Sequence, residues 1–98
     1  MNKYHDKNVQ RFMDRNNNRA RFLIKCHDQQ GIVAAVSQFL FEHNANIVAS
    51  NQYTLDPEGG EFFMRVEFEC DDLENKRNEL ERDFQPIAEK FGMDWKLL

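Results

Sequence analysis

From Glu61 to Cys70 the side chains alternate: Phe62, Met64, Val66, Phe68 and Cys70 take one side, Glu61, Arg65, Glu67 and Glu69 the other. A period of two is that of a strand with one face on a core and the other on solvent. Such a strand demands partners and a layer to cover its apolar side. The first partner lies just upstream. Residues 46–56 form a second strand, with Ile47, Ala49, Tyr53 and Leu55 expected on one face, and Asp56-Pro57-Glu58-Gly59-Gly60 joins the two as a hairpin. Its glycines reach positive φ at little cost.

The remaining elements follow from the same patterning. Ala20, Phe22, Ile24 and Cys26 oppose Arg19, Arg21 and Lys25, which defines an earlier strand. Ile32, Val36, Phe39, Leu40 and His43 then recur at helical spacing, with Asn44 where a left-handed residue closes a helix. After the alternating strand, Asp71 and Asp72 are expected to cap a second helix with the apolar face Leu73, Leu80, Phe84, Ile87 and Phe91. Pro86 predicts a kink or restart near Gln85. Gly92 ends that helix, and Met93, Trp95 and Leu97 alternate as a last short strand. The order β-α-β-β-α-β predicts a ferredoxin-like α+β domain over residues 19–98, a four-stranded antiparallel sheet with both helices on one face. Right-handed crossovers place the first strand between the third and fourth. Residues 1–18 are polar and read as a mobile or marginally helical extension.

Composition narrows the function classes. The chain has 98 residues and a formal charge of −4, with a mildly basic extension ahead of an acidic body. An acidic body repels phosphate, which argues against nucleic acid and anionic membranes as partners. Gly60 to Phe68 lacks the Lys or Arg of an RNA-binding strand, and its outward side chains are mostly glutamates. Cys26 and Cys70 end antiparallel strands at opposite ends of the sheet, about 20 Å apart, so they are expected to stay reduced and buried. No run of apolar residues reaches membrane-spanning length, and a cytoplasmic location is expected.

Candidate chemistry is sparse. His5, His27 and His43 share no metal-ligand spacing, and none has a convincing nucleophile nearby, so neither a catalytic nor a metal site nor a cofactor is expected. His43 reads as a contact with a helix C-terminus. The junction Cys26-His27-Asp28-Gln29-Gln30-Gly31-Ile32-Val33 offers more, because it ends a strand and opens a helix at one glycine. Amides of Gly31, Ile32 and Val33 can face a carboxylate, and Asp28 can accept from an amino group, which together suit a free amino acid. Equally, Asp28 can simply cap the helix while Gly31 permits the turn.

Several stretches resemble the ACT domain family of regulatory, amino-acid-binding modules. Asp28-Gln29-Gln30-Gly31-Ile32-Val33 is similar to the family's effector loop, and Asn44-Ala45-Asn46-Ile47 to its entry into the second strand. Asp56 through Phe68, with Phe91-Gly92-Met93-Asp94-Trp95-Lys96-Leu97, resembles more closely the N-terminal ACT domain of the bacterial formyltetrahydrofolate deformylase family. That resemblance implies a parent enzyme hydrolysing 10-formyltetrahydrofolate to formate and tetrahydrofolate, serving purine synthesis and one-carbon balance. Catalysis would reside in a formyltransferase-like domain C-terminal to this segment, so this chain alone is expected to be a regulatory piece and not an enzyme.

By the same resemblance, the effector site comprises Asp28, Gly31, Ile32 and Val33, with Asn46 contributed by an adjacent subunit, and glycine or methionine is the effector. His27, Gln29 and Gln30 replace the family's common Pro, Arg and Pro, which predicts a more flexible and less charged loop. Self-association through sheet edges is expected, with Arg21, Leu23, Tyr53 and Phe63 as candidate contact residues. The other family member it resembles is a freestanding ACT regulator of the glycine-cleavage repressor type, acting through protein partners.

Overall fold

A computed structural model of the chain describes residues 17–55 and 60–98. The expected extension, apart from Asn17 and Asn18, and the hairpin turn before Gly60 fall outside the described residues. Six elements follow in order: β1 (Arg19–His27), α1 (Ile32–Glu42), β2 (Asn46–Leu55), β3 (Glu61–Glu69), α2 (Leu73–Phe91) and β4 (Asp94–Leu97). The strands form one antiparallel sheet ordered β2-β3-β1-β4, the predicted ferredoxin-like plan with β1 between β3 and β4. Registers run from Arg19 opposite Glu69 to His27 opposite Glu61, and from Asn46 opposite Glu69 to Leu55 opposite Glu61.

The inward side chains of β1 and β3 are buried with those of both helices in one core. Phe22 lies at its centre, fully buried, with Phe84 stacked 4.5 Å away, Phe68 at 5.6 Å, and Phe39 and Trp95 at 6.0 and 5.8 Å. Offset and edge-on pairs of this kind add to area burial through the ring quadrupoles. Both cysteines are free and buried. No described helix is long and apolar enough to cross a membrane.

Three local expectations need correction. Ile47 does not share a face with Ala49, Tyr53 and Leu55. A register shift between Ile47 and Ala49 leaves Val48 as an extra residue, so Ile47 opposes Phe68 on the helix side while Ala49 opposes Glu67 on the outer side. The Asp72 carboxylate does not cap α2. Asp72 sits at φ 58 and accepts from the Asn75 side-chain amide, while the Leu73 amide donates to Oδ1 of Asn18 at 3.4 Å. Finally, α2 runs as one helix through Pro86 without a restart. Proline removes the amide that would reach the Arg82 carbonyl, but Pro86 and Arg82 are exposed, so water can satisfy that oxygen.

Candidate functional site

The β1–α1 loop is anchored at three points. The Asp28 amide donates to the Gly60 carbonyl at 3.1 Å, and its carboxylate accepts a long 3.4 Å hydrogen bond from Thr54 at the end of β2. Gln29 donates its side-chain amide to the carbonyls of His27, at 2.9 Å, and Phe91, at 3.0 Å. The loop is therefore tied to β2, to β3 and to the C-terminus of α2. This corrects the expectation that Gln29 loosens it, since the glutamine amide bridges two carbonyl groups that would otherwise need water.

Gly31 opens α1 at φ 94, in the left-handed region, and no side chain caps the helix. Asp28 is thus not the cap, because its carboxylate turns to Thr54 instead. Among the described residues, no protein acceptor meets the amides of Ile32 and Val33. Ile32 is buried in the core and offers only its backbone, whereas Val33 is 37% exposed beside it. Uncapped amides at a helix start carry partial positive charge and suit a carboxylate. A small polar hollow of ≈ 190 Å³, lined by Lys25, Cys26, His27, Glu61, Gly92 and Asp94, borders this end of the sheet.

Asn46 lies elsewhere within the chain. It pairs with Glu69 in the row of Arg19, whereas the loop follows the row of His27, Glu61 and Leu55. Eight residues of strand separate the rows, roughly 26 Å at ~3.3 Å per residue. Asp28, Gly31, Ile32 and Val33 are brought together, and Asn46 is not. The bonding of Gln29, and Thr54 and the Phe91 carbonyl that join the loop from elements remote in sequence, are the parts of the site that sequence reasoning missed.

The outer face of the sheet holds the candidate contact residues. Tyr53 and Phe63 stack at 5.2 Å and 15°, and with Leu23 they line a groove of ≈ 790 Å³ flanked by Lys25, Arg65 and Lys96. Lys25 pairs with Glu61 at 3.5 Å, and Arg65 pairs with Glu67. The two thiols are poor nucleophiles. Burial, aided by the Asp28 charge, pushes Cys26 above its ordinary pKa against the opposing Gln29 hydrogen bond. Burial also raises Cys70.

Comparison with known proteins agrees with the fold. The ACT domain family model matches residues 20–85. Formyltetrahydrofolate deformylase of Bacillus subtilis (strain 168) is 50% identical over 97 residues, which is 99% of this chain and 32% of that protein. Its Mycobacterium tuberculosis (strain H37Rv) counterpart is 46% identical over 78% of this chain and 25% of its own length. The crystal structure of formyltetrahydrofolate deformylase from Burkholderia mallei superposes with a TM-score of 0.74 at 31% identity, covering 83% of this chain and 28% of that one. This chain spans between a quarter and a third of the length of these relatives. With the matched segment running from β1 into α2, and the fold agreeing, the chain belongs to the ACT domain family.

Proposed function

We propose that this chain is the regulatory domain of a formyltetrahydrofolate deformylase, sensing a free amino acid and pairing with a second copy of itself. The observation that carries the reading is the uncapped start of α1, with a carboxylate held beside it. An amino acid's carboxylate would meet the amides after Gly31, and its ammonium would meet Asp28. Glycine and methionine are the effectors to which the family resemblance points. The catalytic domain and the hydrolysis of 10-formyltetrahydrofolate belong to the same proposal, supported by the names and greater length of the relatives, and a cytoplasmic setting goes with it.

The sheet explains how Asn46 would enter. β2 is an edge strand, and a two-fold axis across two β2 edges runs the strands antiparallel. The start of one β2 then lies beside the end of the other. Thr54, near that end, holds Asp28. Pairing would thus set Asn46 of a second copy next to the loop from which it is separated within one chain.

The test is an amide NMR titration with glycine and methionine on a chain whose dimeric state is verified by sedimentation. Millimolar ligand should shift residues 28–33 and Asn46. No shift in a verified dimer removes the sensing role and leaves assembly alone. Asp28→Ala should abolish the response yet change unfolding free energy by no more than about 0.5 kcal/mol, since the residue is exposed and weakly bonded.

A further inference from the structure

One imidazole joins the C-terminal end of α1 to α2. His43 is the C-cap of α1, and its ring lies against Phe39 with centroids 4.3 Å apart. Nδ1 is 2.8 Å from the Phe39 carbonyl oxygen, and Nε2 is 2.9 Å from Oδ2 of Asp83 on α2. Neither partner has a proton to give. The carbonyl has none, and the Asp83 carboxyl is held below the usual carboxylate range, first by the Arg82 guanidinium and then by His43. A neutral imidazole carries a single N–H, so it satisfies one contact and turns a lone pair toward an acceptor in the other. Only the imidazolium donates at both.

The surroundings favour that cation. The carbonyl end of α1 carries partial negative charge. Glu42 precedes His43 on α1, and α2 presents Glu79 and Asp83 along with Lys76 and Arg82. From the end of β3, Cys70 Sγ approaches the His43 carbonyl at 3.7 Å. Beyond the ring, the chain turns through Asn44 at φ 58, with the Ala45 amide bonded to the Leu40 carbonyl at 2.9 Å, and enters β2 at Asn46. Backbone bonds from His43, Asn44 and Ala45 close the turn on α1, and the ring adds the bond that ties it to α2.

We propose that His43 is a proton-operated latch: as imidazolium it clamps the end of α1 to α2 and fixes the turn at residues 44–46, and on losing a proton it frees that turn. The consequence that the latch tunes effector affinity through Asn46 rests on the sensing role above; the latch itself does not. Burial opposes the charged ring, but the Asp83 and Phe39 hydrogen bonds and the charges of Asp83 and Glu79 outweigh it, so the folded pKa lies above the ordinary 6.5. With the folded value raised, the stabilisation is complete below the unfolded pKa and is lost as pH rises through the folded one.

Nitrogen-detected NMR of the histidine rings in this 98-residue chain tests the latch, from about pH 5 to about pH 9. The His43 signals are those missing in His43→Gln. Toward the acid end of that range both ring nitrogens should be protonated, the midpoint should exceed the ordinary 6.5, and the amides of Asn44, Ala45 and Asn46 should titrate with the ring. Asp83→Asn should lower the midpoint by about one unit, because it keeps an acceptor but removes the charge. A midpoint at or below 6.5, a midpoint unmoved in Asp83→Asn, or turn amides that ignore the ring would each overturn the latch. Asp83 lies at the surface, so its variant keeps the test open if His43→Gln folds poorly. No ligand enters these measurements, so a chain that ignores glycine at every pH overturns the sensing role and not the latch.

Discussion

Gly31 stands at φ 94, where an L side chain strains its own backbone, yet a Cβ added there would meet no atom within 4 Å. The penalty of Gly31→Ala is therefore conformational and not steric, about 1–2 kcal/mol. Urea unfolding should show that loss; unchanged stability would mean that the loop relaxes to negative φ without harm. This role was legible in the sequence, as were those of Asn44 and Gly92, both at positive φ. Backbone handedness depends on a residue and its immediate neighbours, so a linear reading captures it. Gln29 was misread for the opposite reason. Its bond to the Phe91 carbonyl joins positions far apart in sequence, and from the loop alone it looked like a lost charge. The Asp83 partner of His43 escaped notice in the same way.

Among the elements, β3 and β1 were legible because each buries every second residue, with Leu23 and Phe63 as the apolar exceptions on the outer face. β2 was legible as a strand but not in its facing, since one extra residue at Val48 swaps sides and apolar residues occur on both. The helix α2 shows tertiary packing overriding a local rule. Leu80 and Phe84 before Pro86, and Ala88 after it, are all buried in the same core, which holds both halves in one continuous helix. Pro86→Ala would restore the amide to the Arg82 carbonyl, while freeing the unfolded chain a little. The net expectation is a gain of about 1–2 kcal/mol, read as a higher melting temperature. A lower one would show that the pyrrolidine ring packs where its exposure suggests it does not.

Across the whole molecule, stability is concentrated around Phe22, which touches ring systems from β3, both helices and β4. Phe22→Ala should cost about 3–5 kcal/mol. A domain of this size commonly holds no more than ~5–15 kcal/mol in all, so denaturant unfolding of the variant should begin almost at once. A midpoint close to that of the parent would show that neighbouring rings collapse into the gap. The burial is unevenly shared, for no residue of β2 is buried and within the sheet the strand pairs with β3 alone. If copies pair along β2 as proposed, the molecule's heat resistance becomes a matter of mass action. Diluted, it should melt early and fray first along that margin; concentrated, each copy would lend its neighbour the flank it lacks.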